Sequence, residues 1–200
     1  MTKSTLNVRK MVVTAMLSAI ATILMLLDFS IPMLIPSFVK MDISELPALL
    51  ASFSIGPVSG IVVCLLKNLF NLLLNGSGTN GVGELCNFLL GAAFAGSAGF
   101  IYKYNKNFKG AIIASLVASI VMAVFSVPLN YFVTYPIYSS MFGGIELIIQ
   151  AYQVIRPSVN GLLECLLIFN MPFTLVKGLI VALITFFIYK PLSPVLHGKK

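Results

Sequence analysis

From Met11 to Leu27 the chain reads MVVTAMLSAIATILMLL, an apolar run without a charged side chain, and runs of this kind recur to its end. Inside a bilayer every backbone N–H and C=O must be satisfied within the chain, so such a run crosses as a helix. Hydrophobic residues make up 58% of the 200 residues and charged ones 10%, with a mean hydropathy of +1.01. Soluble domains carry about 45–50% apolar and about 25% charged residues. A soluble globule of this size cannot hide that much apolar side chain from water. The chain therefore reads as an all-α integral membrane protein. The same composition excludes a disordered chain, a collagen, a disulfide scaffold and a free nucleic-acid binder.

A bilayer core takes roughly 20 helical residues per crossing. The runs predict six transmembrane helices in one membrane domain (1–200), at about 11–27, 44–55, 58–74, 82–102, 110–135 and 170–189. The second is short, and Gly56-Pro57 separates it from the third. The stretch 136–169 carries Glu146, Arg156 and Glu164 among apolar residues and reads as an external loop holding interfacial or partly inserted helix. Six crossings put both termini on one side. With them fall Lys3, Arg9, Lys10, Lys103, Lys106, Lys109, Lys190, Lys199 and Lys200, against Lys40 and Arg156 opposite. The excess of positive charge makes both termini cytoplasmic. The N-terminus resembles a signal peptide but lacks a convincing cleavage site, so it reads as a retained first helix.

Ionisable groups within a bilayer are costly and face a partner or a cavity. Lys67, Asn68 and Asn71 lie in the third span, and Glu84 and Asn87 open the fourth after the loop NGSGTNG. Asn130 lies near the outer end of the fifth, and Lys177 one to two turns into the sixth. All belong to the outer half of the membrane, which predicts a polar pocket open to the outside. The structural alternative is helix–helix hydrogen bonding with a Lys67–Glu84 ion pair. Lys177 has no acid in its own segment and reads as ligand-facing.

Catalysis finds no support. His197 lies in the tail, remote from any nucleophile in the membrane, and metal-ligand spacing is absent. GSGTNGVG lacks the Lys-Ser/Thr of a phosphate loop, so ATP-driven work belongs to another chain. Cys64, Cys86 and Cys165 lie singly in apolar runs and read as packing residues. The Asn75-Gly76-Ser77 sequon has no secretory context. Small residues Ala15 and Ala19 in the first span form a stripe for close helix approach, either within the protein or against a partner.

Five blocks resemble the RibU family, the riboflavin-binding S components of energy-coupling factor (ECF) transporters. They are MDISELPALLASFSIGPVSG, LLKNLFNLLL, GTNGVGELCNFLLGAAFAGSAGFIYK, LNYFVTYPIY and FNMPFTLVKGLIVALITFFIYKPLSP, in the family's order. The resemblance implies high-affinity riboflavin binding from outside by a multi-pass protein of the bacterial cell membrane, with no cofactor. Its partners would be membrane lipid, a transmembrane coupling subunit and two ATPase subunits. It places Asn130, Asn170, Thr174 and Lys177 at the flavin, with Glu84, Asn87, Asn68 and Lys67 as further candidates. Lys40, Met41, Asp42 and Glu45 would lie in a lid loop, and Ala15 and Ala19 would dock the coupling subunit. The family often has Asn three residues before its Lys, where this chain has Thr174. A hydroxyl offers one donor and acceptor position but not the amide's pair. An S component for another vitamin and an ion-coupled secondary transporter are the alternatives. The second would bring inverted repeats and midplane acids, neither of which is seen.

Overall fold

The computed structural model describes residues 3–197, with side chains described for 8–141 and 143–188. Its helices are α1 (Lys3–Leu26), α2 (Glu45–Ser54), α3 (Pro57–Asn75), α4 (Val82–Tyr104), α5 (Phe108–Leu129), α6 (Tyr135–Phe142), α7 (Ile145–Gln153), α8 (Leu162–Cys165) and α9 (Met171–His197). Among the described residues the sole β feature is an isolated antiparallel bridge between Phe29 and Met41. Lys199 and Lys200, counted above with the terminal charges, lie outside the described residues.

Among the described residues, five segments are long and apolar enough to cross a membrane: Val8–Leu26, Pro57–Asn75, Val82–Tyr104, Phe108–Met141 and Leu162–Ile188. The second predicted span is the exception. Helix α2 has ten residues, about 15 Å of rise against a hydrocarbon core of about 30 Å. It needs no lipid contact, because Glu45 and the run from Pro47 to Phe53 are buried. Gly56 adopts φ +137°, where side chains are disfavoured, and Pro57 then opens α3 at a position that needs no N–H. The two helices meet so closely that a Cβ on Gly60 would collide with Ser52 Oγ.

The expected loop over 136–169 is largely helical, and the last two spans are longer than the sequence suggests. Helix α5 runs through a π-helical turn, Asn130–Thr134, directly into α6. The last span starts at Leu162, passes through a second π turn, Leu166–Asn170, and continues as α9. In each case a proline, Pro136 or Pro172, follows the π turn by two residues. A proline lacks the N–H and crowds the carbonyl one turn back. Widening that turn to i→i+5 bonds, Tyr135 N to Asn130 O and Met171 N to Leu166 O, lets the helix pass without breaking. The fifth span thus runs about two turns past its expected end at 135, and the sixth begins about two turns before its expected start at 170.

Packing divides into an inner and an outer part. The inner core joins Leu49, Phe53, Phe94, Ala98, Tyr102, Ala111, Ala114, Ala118, Met122 and Val181, with many alanines where helices approach closely. The outer cluster is aromatic, with Tyr135, Tyr138 and Tyr152 around Ile35, Ile148, Val159 and Leu166. Phe38, from the α1–α2 loop, inserts edge-on among those three tyrosines at 6.2–6.3 Å between centroids. Between the two parts the side chains do not meet, and a cavity remains.

Candidate functional site

The cavity holds about 400 Å³, within the range of about 300–1,000 Å³ common for small-molecule sites. Its walls come from the end of α1, the α1–α2 loop, the start of α2, α3 and the loop after it, α4, α5, both π turns, α6 and α9. Apolar surface is supplied by Met25, Phe38, Leu90, Met122, Tyr135, Tyr138 and Phe173. Among these stand the polar groups of Asn71, Glu84, Asn87, Asn130, Thr134, Asn170, Thr174 and Lys177. The polar residues scattered along the sequence thus converge, because each lies near the same end of its helix.

Of the eight expected ligand residues, six line the cavity: Glu84, Asn87, Asn130, Asn170, Thr174 and Lys177. Lys67 and Asn68 do not, which corrects their expected place at its wall. Asn71 faces in, and Lys67, one turn deeper on the same face of α3, lies beneath Glu45 instead. Asn68 turns its Nδ2 back to Cys64 O at 2.8 Å. The supposed Lys67–Glu84 pair is absent: Lys67 Nζ lies 2.8 Å from Glu45 Oε1, and Glu84 Oε2 accepts from Ser77 Oγ at 2.8 Å. Ser77 Oγ also accepts from the backbone N–H of Gly81 and Thr79, so the glycine loop is shaped by this hydroxyl and presents Glu84 to the cavity.

Lys177 is not free of acids, although none lies in its own segment. Its Nζ donates to Asp42 Oδ2 at 2.9 Å and stands 3.2 Å from Glu45 Oε2. Ser44 Oγ bridges Asp42 and Lys67, and Ser44 N donates to Asp42 Oδ1 at 2.8 Å. Two carboxylates and two ammonium groups therefore form one buried network joining the α1–α2 loop and α2 to α3 and α9. Burial pushes the Asp42 carboxyl up, but Lys177, Lys67 and Ser44 outweigh it and hold the group well below the usual carboxylate range. Such a network is neutral as a whole, which is how charges persist in a low-dielectric interior.

The expected lid residues divide as well. Lys40, Asp42 and Glu45 line the cavity. Met41 is buried and pairs its backbone with Phe29 at 2.7 and 3.0 Å. Lys40 closes the same short ribbon with bonds of 3.0 and 3.1 Å to Asp28. The loop is thereby held by its backbone bridge, by Phe38 and by the buried charges.

Apart from Glu45 Oε2, which stands 3.2 Å from Lys177 Nζ, two of the described cavity residues have a buried atom without a hydrogen-bond partner: Asn71 Oδ1 and Thr134 Oγ1. A desolvated polar atom left unpaired costs about 1–3 kcal/mol, so these atoms suit a ligand's donors. Asn71 was visible in the sequence as an amide within an apolar run. Thr134 gave no signal, since a helical threonine ordinarily bonds the carbonyl a turn back. On α1, Ala15 and Ala19 are exposed on the outer face, while Ser18, Ala21, Thr22 and Met25 of the opposite face are buried.

The sequence profile described as "ECF transporter, substrate-specific component" matches residues 9–189. The riboflavin transporter RibU of Staphylococcus aureus (strain TCH60) is 36% identical over 185 residues, covering 92% of this chain and 90% of that one. The riboflavin transporter FmnP of Bacillus subtilis (strain 168) is 32% identical over 190 residues, 94% of each. A solved structure described as "Structure and mechanism of the S component of a bacterial ECF transporter" superposes with a TM-score of 0.73. It is 34% identical and covers 97% of this chain and 99% of its own. That family consists of transporter components, not enzymes, and with the fold, the cavity and matches over nearly its full length, this chain belongs to the substrate-specific components of ECF transporters.

Proposed function

We propose that the protein binds riboflavin from the outer face of a bacterial cell membrane and serves as the substrate-binding subunit of an ATP-driven ECF transporter. The observation that carries this reading is the cavity, together with the riboflavin transporters among the relatives. Riboflavin is a flat, largely apolar ring system edged by imide and ring-nitrogen groups, with a hydroxylated chain. Phe38, Tyr135, Tyr138 and Phe173 offer surfaces for the ring. Asn71, Asn130, Thr134, Asn170 and Thr174 offer donors and acceptors at its rim and chain. Binding needs no cofactor and no bond breaking.

The orientation is supported by charge. Helix α4 starts at the cavity and ends at exposed Lys103, followed by exposed Lys106 and Lys109. These lysines favour the cytoplasm, which turns the cavity outward. Helix α2, with the loop before it, completes a sixth passage and leaves both termini cytoplasmic. The exposed Ala15–Ala19 face of α1 would receive the transmembrane coupling subunit, which joins the vitamin-loaded protein to two ATPases.

The test is a flavin fluorescence titration of the purified protein in detergent, preceded by its visible absorbance. Saturable one-to-one quenching is expected. A folded, monodisperse protein that leaves flavin fluorescence unchanged would refute riboflavin as the ligand.

A further inference from the structure

Behind the cavity wall, Tyr135, Tyr152 and Asn170 close a three-membered ring of hydrogen bonds. Tyr152 Oη donates to Asn170 Oδ1 at 2.6 Å, and Asn170 Nδ2 donates to Tyr135 Oη at 2.9 Å. The two phenol hydroxyls bond each other. A phenol has one proton, and Tyr152 gives its own to Asn170, so Tyr135 donates to Tyr152. Each hydroxyl then donates once and accepts once. The ring fixes the plane of the Asn170 amide and leaves it one N–H and one carbonyl lone pair for the cavity.

Tyr135 and Asn170 line the cavity, but Tyr152 does not. It is completely buried and belongs to α7, a helix that contributes no lining residue. Burial, then the neighbouring Tyr135, push its phenol well above the ordinary value, so it keeps its proton at neutral pH. Its ring packs against Phe169 at 5.3 Å and the edge of Phe38 at 6.2 Å. Tyr152 therefore acts on the site by two separable means: a hydroxyl on Asn170 and a ring beside Phe38.

We infer that Tyr152 is a positioning residue for the transported ligand, its hydroxyl holding the Asn170 amide in the plane that the ligand's polar edge meets. This rests on the reading of the cavity as a riboflavin site. Tyr152→Phe removes the hydroxyl and keeps the ring contacts. In riboflavin quenching titrations of the full-length protein it is expected to weaken binding about tenfold. In an Asn170→Ala background the same change is expected to cost less than about twofold, because the group it orients is gone. An unchanged affinity for Tyr152→Phe would overturn the inference, and so would an equal loss with and without Asn170, which marks a role in packing alone. A wild-type protein that fails to quench riboflavin would instead overturn the function reading, and this inference with it. Should Tyr152→Phe fail to fold, Tyr135→Phe opens the same ring at its other phenol and carries the same Asn170-dependent expectation.

Discussion

Lys177 serves the cavity and the fold at once. Its ammonium lines the cavity, and it also neutralises Asp42 and Glu45. Removing one member of a buried ion pair leaves its partner uncompensated, at about 3–5 kcal/mol. Lys177→Ala is therefore expected to lower the thermal unfolding midpoint in detergent, with Asp42→Asn in the same chain restoring part of the loss. Asn130 differs. Its Nδ2 bonds Ser126 O of its own helix at 2.8 Å, and its Oδ1 receives the weak Cys86 thiol at 3.6 Å. Asn130→Ala should leave the midpoint nearly unchanged and weaken riboflavin binding by about tenfold or more; an unaltered titration would remove Asn130 from the contacts. Asn130 and Lys177 were legible in the sequence because polar groups in apolar runs demand an explanation, and Asn170 and Thr174 only through the family resemblance. Thr134 and the ion partners of Lys177 were not, because a missing hydrogen bond and a contact across 135 positions leave no local pattern.

At the scale of elements, the α1–α2 loop is held at its end by charge. Asp42 titrates below its ordinary range, so the unfolded chain binds its proton at higher pH than the folded one. Its contribution to stability is then complete above about pH 4 and is lost as pH falls further. Thermal midpoints should be flat between about pH 6 and 8 and decline below about pH 4, and Asp42→Asn should reduce that acid decline. Helix α1 offers a different test. With Ala15 and Ala19 exposed, Ala15→Trp and Ala19→Trp face outward and should leave riboflavin binding intact while blocking co-purification with the coupling subunit and ATPases. Normal assembly of these variants would dismiss that face as the docking surface. The existence of most spans was readable from apolar length, whereas the end of the fifth at Met141 and the start of the sixth at Leu162 were not, because a π turn that carries a helix past a proline leaves no pattern in sequence.

Across the whole molecule, the cavity's charge is a selectivity statement. Asp28, Asp42, Glu45 and Glu84 line it with Lys40 and Lys177, and Lys67 lies behind Glu45. Acids outnumber bases, and every one of these lysines already has a carboxylate partner. A phosphorylated flavin would bring about two further negative charges into surroundings with no unpaired cation to meet them. Flavin mononucleotide is expected to bind at least about tenfold more weakly than riboflavin, by competition titration. Equal affinity would mean that the phosphate stays in solvent at the cavity mouth.

What the sequence determined by itself is whatever depends on composition and short range. A chain this apolar must enter a membrane, its backbone must be helical there, and its basic residues set the orientation proposed for it. Its polar residues within the spans must find partners. Which partners they find was decided by the tertiary structure alone. Lys67 and Lys177 come from α3 and α9, and only packing brings both to Asp42 and Glu45, forming the charged network at the cavity wall. Likewise Tyr152, in a segment that reads as an external loop, acquires its place at Asn170 because α7 packs against α6 and α8. Ion pairs and hydrogen bonds across a bundle depend on helix rotation and depth, and those are set jointly by every contact in the core.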